Sequence, residues 1–423
     1  MKILILNRKE RAFVKNEGLI NIIDSLKSKT EVEDLWLLTD SGKDLASYKT
    51  KPLQYNYKFL ENYDPVDVLG ILDIEKPNVI LLPNDYEYVE RAFVYAAKLK
   101  SIPTVLSLQQ GFSNTMESRD MSLIRNRISI LGERGKFILK KYWFLLKTLR
   151  KIGYGVRKIF PIIIDDLISP FLDAEPAGKY GCDLILVGNE DTQRWLEKRK
   201  VKSKIVITGD PLMDSIYKKS VEYKNEQKRA SSKIKIVLMT TGMLEHGFWT
   251  KKIWETTVTK IITEINTKFK DDVDFLIKIH PATERIEDYE RILEKVKVNI
   301  PIFQTEKLLD VINDADIIIT YGESWGTWEG IFLEKPIIIV NLFDYPIEKM
   351  PFVKAGLAKE LKNIDGLYDL ILKLKNKKSD KEKMENFVRK YLYKLDGKAG
   401  ERSALAIMDV VSENTVKFDK NNS

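Results

Sequence analysis

One cysteine and two histidines are all that the 423 residues of this chain contain of the side chains most used for covalent and metal chemistry. With Cys182 alone, an internal disulfide is impossible and a cysteine metal cluster is excluded. His246 and His280 cannot supply a zinc site of several imidazoles or a histidine proton relay. Proton chemistry therefore falls to these two or to carboxylates. No apolar run approaches the roughly 18 residues that a membrane span needs. The opening MKILILNRKE meets a charged cluster too soon for a secretory core, so no signal peptide is expected and a reducing cytoplasm is the expected compartment.

What is present is core material and lysine. A hydrophobic content of 44% with 31% charged residues suits a folded globular chain, and the length calls for two domains. The net charge is +8, but it is concentrated. From Arg119 to Lys158, twelve basic residues face only Asp120 and Glu133, a local net of +10. The remainder is near neutral, so no nucleic-acid partner is expected.

The apolar pattern alternates between strands and helices. Lys2 to Leu6, Trp36 to Leu38, Val79 to Leu82, Thr104 to Leu108, Asp183 to Asn189 and Lys204 to Gly209 read as strands with helices between them. Val79-Ile80-Leu81-Leu82 is apolar throughout, as a buried parallel strand should be. Residues 218–233 are polar and lysine-rich and read as a linker. The pattern restarts with strands at 234–240, 274–279, 316–320 and 336–340, and with helices at 251–269 and 287–296. The expected fold is α/β: two Rossmann-like, doubly wound domains facing a cleft, residues 1–217 and 234–395. A helical basic insertion, 117–178, interrupts the first. On a helical wheel Lys136, Lys140, Lys147, Lys151 and Lys158 fall on one side, and Ile138, Tyr142, Leu145, Leu149, Ile152 and Val156 on the other. A bend is expected at Gly153 and Gly155. Such a helix, over 136–158, is expected either to pack on its own domain or to attach to an anionic membrane surface.

Parallel sheets present ligands at strand carboxyl ends, where helix N-termini suit phosphate. Three such ends in the second domain are chemically loaded. Thr241, Gly242 and His246 follow the first strand. Lys278 and His280, in Lys278-Ile279-His280-Pro281, end the next. Ser324, Trp325, Gly326 and Glu329 follow Thr320-Tyr321-Gly322, with Glu329 placed for ribose hydroxyls. In the first domain Asn84-Asp85-Tyr86-Glu87 and Gln109-Gln110-Gly111 end neighbouring strands. Asp85, with Glu87 in reserve, is the candidate base for an acceptor hydroxyl. No Walker A or strict GxGxxG pattern is present.

These residues carry a resemblance. Lys278-Ile279-His280-Pro281 is similar to the K-x-H-P element of CDP-glycerol glycerophosphotransferases and capsule-polysaccharide transferases. Ala315 to Thr320, through Ser324 to Lys335-Pro336, resembles both that family and UDP-N-acetylglucosamine 2-epimerases. Asp396-Gly397-Lys398-Ala399-Gly400-Glu401-Arg402 looks like the D-G-K-A-x-E-R signature of polysaccharide transferases, and Gly209 to Asp214 like their G-x-P-x-x-D turn. The likeness spans most of 180–415 and points to the GT-B superfamily. It implies that Ser324 and Gly326 meet a nucleotide diphosphate, that Glu329 meets the ribose, and that a final helix in 396–423 crosses back to the first domain.

The expected function is a glycosyltransferase moving a sugar from a nucleotide-sugar to a lipid-linked or surface-polysaccharide acceptor. It would work as a peripheral protein at the inner face of the cell membrane, with His280 and Lys278 offsetting diphosphate charge. No cofactor or metal is expected, since the nucleotide-sugar is a substrate. The alternatives are a CDP-glycerol-type phosphotransferase, a 2-epimerase-like isomerase, and a non-catalytic nucleotide-sugar binding protein.

Overall fold

The computed structural model describes residues 1–7, 17–39, 55–63, 67–109, 133–172, 177–225, 232–245, 247–281, 283–322, 326–344, 350–377 and 380–422. The chain divides into two compact units, Met1–Ser215 with Arg389–Ser423, and Ile216–Val388.

The first unit holds a seven-stranded parallel sheet in the order β3-β2-β1-β4-β5-β6-β7. Its strands are β1 Lys2–Asn7, β2 Glu33–Leu38, β3 Tyr57–Phe59, β4 Val79–Leu82, β5 Thr104–Leu108, β6 Leu184–Val187 and β7 Lys204–Ile207. The helices before β6 are α1 Glu17–Lys27, α2 Val68–Glu75, α3 Tyr88–Leu99, α4 Glu133–Lys151 and α5 Val156–Leu172. They are followed by α6 Glu190–Lys198 and by α7 Leu212–Asn225, which begins in the first unit and continues past Ser215 into the second. Successive side chains of a strand point to opposite faces, and the core divides accordingly. Ile3, Ile5, Trp36 and Leu81 pack with Leu19, Ile22 and Leu26 of α1. Leu4, Leu6, Leu37 and Ile80 pack with Ala92, Phe93 and Ala96 of α3 on the other face.

The second unit carries β8 Ile234–Met239, β9 Val273–Lys278, β10 Ile302–Phe303, β11 Ile317–Thr320, β12 Ile337–Val340 and β13 Lys359–Leu361. Its sheet is parallel in the order β10-β9-β8-β11-β12-β13. The helices are α8 Lys251–Phe269, α9 Ile286–Val296, α10 Leu308–Ile312, α11 Gly326–Phe332, α12 Pro351–Lys354, α13 Leu367–Leu374 and α14 Lys381–Leu392. The strand order reverses at β8, whose neighbours are β9 and β11, so the carboxyl ends of these three strands border a topological switch point. Gly330 of α11 allows close packing on the sheet, because a Cβ there would lie 2.7 Å from Ile318 Cδ1.

The final helix, α15 Ala399–Asn422, belongs to the first unit, where Ala404, Ile407 and Val410 join the α1 side of the sheet. Residues 218–225, read from composition as linker, are helical, as the end of α7.

Among its described residues the basic insertion holds two helices. α4 ends at Lys151, Gly153 takes a φ of +84°, and α5 starts at Val156. Leu145 and Leu149 of α4 and Ile159 of α5 are buried in the core that contains α3. Arg91 of α3, 1% exposed, donates to Asp166 of α5 at 2.5 Å, with its guanidinium carbon 4.2 Å from the Tyr180 ring centre. A buried Arg–carboxylate pair of this kind holds a register more than it adds stability. The apolar side read from the wheel, Tyr142, Leu145, Leu149 and Ile152, is therefore largely committed to the protein's own core.

Candidate functional site

Each of β8, β9 and β11 ends in a residue whose polar atoms reach toward the same carboxylate. Glu284 is 4% exposed, lies two residues before α9, and accepts from four donors. Thr240, following β8, donates its hydroxyl to Oε2. The backbone N–H of His280, following β9, donates to Oε2 at 2.6 Å. Tyr289 of α9 donates its hydroxyl to Oε1 at 2.6 Å, and that of Tyr321, following β11, reaches the same oxygen at 3.5 Å. The two phenols are 2.8 Å apart, and Trp254 Nε1 donates to Tyr321 at 3.2 Å. Burial raises both phenols well above their ordinary range, so both stay neutral. A buried acceptor surrounded by donors in a water-poor setting is a strong fixative. Glu284 thus ties three strand ends into one rigid floor.

The loops above this floor use their small residues for close approach. The Thr241 hydroxyl donates to the Tyr321 carbonyl, joining the β8 and β11 loops. Gly322 has a φ of +72° and lies against Met243, where a Cβ would stand 2.8 Å from Sδ. Both conditions demand glycine. Trp249 stacks on Tyr321 with ring centres 5.2 Å apart. The hydroxyls of Thr320 and Thr327, which bracket the β11–α11 loop, are buried and have no hydrogen-bond partner among the described residues.

His280 is half-buried, and its Nδ1 stands 2.9 Å from the Thr283 hydroxyl. That bond orients the ring and commits Nδ1. Glu329 is half-buried on α11.

Lys278 is used differently from the role expected of it. It is 4% exposed, and its ammonium donates to the carbonyls of Ile279 at 3.0 Å and Gln304 at 2.8 Å. Burial lowers its pKa, while Glu306, Glu329 and Glu284 oppose that shift. Lys278 closes the turn after β9. Thr241 is likewise buried and bonded within the fold. His246, Ser324 and Trp325 lie outside the described residues, as does Gln110. Gly242 is buried beside Met243, and Gly326 opens α11.

In the first unit, Asp85 is fully buried, and its carboxylate accepts the N–H groups of Gly178 at 2.9 Å and Tyr180 at 3.2 Å. Burial pushes it up to about 6 against the pull of those bonds. It secures the segment leading to β6. Glu87, at the start of α3, is half-buried, and its side chain makes no cap hydrogen bond. Gln109 bonds Thr208 at 2.5 Å and Ser403 at 2.7 Å through Nε2, deep in the first unit.

Two parallel sheets of Rossmann-like order give an α/β fold of the GT-B type. UDP-GlcNAc 2-epimerase from Neisseria meningitidis, solved bound to UDP-GlcNAc, is similar at 15% identity with a TM-score of 0.52, over 97% of this chain and 100% of that one. UDP-GlcNAc 2-epimerase of Methanocaldococcus jannaschii, solved with UDP-GlcNAc and UDP, is similar at 17% identity with a TM-score of 0.51, over 96% and 99% of the two chains. No curated protein matches the sequence. Residues 173–409, more than half the chain, match the family described as CDP-Glycerol:Poly(glycerophosphate) glycerophosphotransferase, and the chain belongs to that family. By that family it is a transferase.

Proposed function

We propose that the protein transfers a polyol phosphate from a CDP-linked donor to a hydroxyl of a lipid-linked or surface-polymer acceptor at the inner face of the cell membrane. The family match over residues 173–409, which contains the whole Glu284 site, carries this reading ahead of sugar transfer. The donor's phosphates lie over the β9 and β11 ends, against Gly326 at the start of α11 and the ring of His280. In the tautomer in which the Thr283 hydroxyl donates to Nδ1, Nε2 carries a proton that can be offered to a phosphate oxygen. Such preorganised donors stabilise the charge that develops on the departing nucleotide. Glu329 takes the ribose hydroxyls. Lys278 acts from beneath by fixing the turn that presents His280. In the first unit Glu87 is the better placed of the two candidate carboxylates to take the acceptor proton. The reading calls for no divalent metal, so EDTA leaves turnover unchanged.

Sugar transfer from a nucleotide-sugar is the second reading, favoured by the UDP-GlcNAc held in proteins of the same fold. Thermal shift with CDP, UDP, GDP and their sugar or polyol conjugates separates the two, followed by assay of the released nucleotide. CMP released from a CDP-polyol upholds the first. A nucleoside diphosphate released from a nucleotide-sugar upholds the second. A Tm unmoved by every nucleotide overturns both.

A further inference from the structure

Where β6 and β7 begin, the first unit holds a cavity of about 570 Å³ ringed by cations. That volume is within the roughly 300 to 1,000 Å³ of small-molecule sites. Lys98 is in the last turn of α3, Lys179 precedes β6, and Arg199, Lys200 and Lys202 join α6 to β7. A parallel sheet presents its reactants at the carboxyl ends of its strands, so this cavity is at the other end of β6 and β7. The segment that carries Lys179 and Gly181 is fixed, because Asp85 accepts the N–H groups of Gly178 and Tyr180.

Part of the charge is matched within the fold. Asp183, the one acid in the lining, accepts the N–H and the hydroxyl of Thr104, both at 2.8 Å. Lys179 is paired with Asp165 at 2.7 Å. Lys98 and Arg199 sit at the C-terminal ends of α3 and α6, each equivalent to about half a negative charge. Set against both carboxylates and both helix ends, the five cations leave a surplus of roughly +2.

The neutral groups fit an anion as well. The Ser203 hydroxyl oxygen, in the cavity wall, is buried and has no hydrogen-bond partner among the described residues. A buried polar group left so costs roughly 1 to 3 kcal/mol, which an acceptor oxygen brought by a ligand would offset. Lys98 reaches the rim over Gly181, where a Cβ would stand 2.6 Å from Nζ and where a φ of +80° also favours glycine. The Arg199 guanidinium carbon lies 4.3 Å from the Trp195 ring centre, which steadies its planar fork.

We infer that this cavity binds a ligand carrying two or more linked phosphate groups, with Lys98, Arg199, Lys200 and Lys202 on the phosphate oxygens and Ser203 donating a hydrogen bond. A diphosphate or a short phosphodiester run carries at least about two negative charges, the surplus found here, and Arg199 suits phosphate geometry. The site is separate from the donor reading, since the Glu284 cluster is in the second unit and this cavity in the first.

The test is calorimetric titration of the full chain with pyrophosphate and with a short glycerol-phosphate oligomer. Wild type should bind at least one of them, and less as salt rises. K200E/K202E reverses two exposed charges and should lose at least tenfold in affinity, while K200R/K202R stays within a few-fold of wild type. Ser203→Ala should lose a few-fold in affinity without losing stability. Tighter binding of pyrophosphate identifies a nucleotide-type diphosphate as the occupant, and tighter binding of the oligomer a phosphodiester chain. Either upholds the site. Failure of both anions to bind, or unchanged affinity in K200E/K202E, overturns it. The thermal shift produced by CMP is measured alongside. Pyrophosphate binding that K200E/K202E abolishes, in a chain that CMP does not stabilise, keeps this site and condemns only the donor reading. A CMP shift with anion binding indifferent to K200E/K202E condemns only this site.

Discussion

Asp214 Oδ2 accepts the backbone N–H of Gly400 at 2.8 Å, joining residues far apart in sequence, while its Oδ1 takes the N–H of Ala399 at 3.1 Å. The carboxylate caps α15, where free N–H groups and the helix dipole favour a negative charge. The G-x-P-x-x-D turn and the D-G-K-A-x-E-R signature are thereby one object. Asp396 grips Arg402 through both oxygens, at 2.9 and 2.8 Å, and Arg402 Nε donates to the Thr208 carbonyl at 2.7 Å. Gly400 has no room for a side chain, since a Cβ would stand 2.8 Å from the Asn21 carbonyl oxygen. The signature therefore secures the last helix to the first unit. Asp214→Ala should cost about 2 kcal/mol in chemical denaturation, with donor affinity unchanged. Weakened donor binding at unchanged stability would move Asp214 into the site.

The parts of the fold legible in the sequence were those whose pattern is local. β4 and β12 are continuous apolar runs, β8 is one but for Lys235, and α8 shows its 3.6-residue period from Lys251 to Phe269. β3, β10 and β13 were not seen because each has three residues or fewer and lies at a sheet edge, where little burial imposes a pattern. In the site, strand ends and glycines mark the loops, but nothing in the local sequence sets Glu284 apart. Its importance comes from donors at 240, 280, 289 and 321 converging on it, which no local pattern records. Lys278 misled for the same reason. Its chemistry suggested phosphate, yet two carbonyls supplied by the turn had already claimed it.

Glu284 should therefore be the most sensitive position in the second unit. Glutamine keeps the shape but turns one acceptor oxygen into a donor, which then opposes either the His280 N–H or the Tyr289 hydroxyl. Glu284→Gln should lower stability by about 2 kcal/mol and weaken nucleotide binding with it. Calorimetric titration with CDP and UDP beside thermal denaturation checks this. Normal affinity in a destabilised variant would separate the floor from the ligand.

His280 should behave in the opposite way. It is half-buried, and its ring is bonded to the Thr283 hydroxyl rather than to the Glu284 cluster. His280→Ala should leave Tm nearly unchanged and lower kcat at least tenfold, the scale of a positioned charge-stabilising donor. Thr283→Val should give a smaller loss and shift the pH profile of kcat, because the partner that sets the tautomer is gone. Near-normal turnover of His280→Ala would end its assigned role.

The two carboxylates of the first unit allow a clean separation. Asp85 is held up at about 6 by burial, above its ordinary value of 3.8. The folded state therefore holds that proton more tightly than the unfolded chain. The resulting stabilisation is full below about pH 4 and is lost as pH rises toward 6. Asp85→Asn should remove this slope from the pH dependence of Tm. Asp85→Ala, which strips the acceptor from Gly178 and Tyr180, should cost about 3 kcal/mol. In neither variant should kcat per folded molecule fall by more than a few-fold. Glu87→Gln should do the reverse, keeping Tm and losing at least tenfold in kcat, the range of a missing general base. If Asp85→Asn abolishes turnover in a stable protein while Glu87→Gln remains active, the base is the buried carboxylate, and the segment bearing Gly178 and Tyr180 must release it during the reaction.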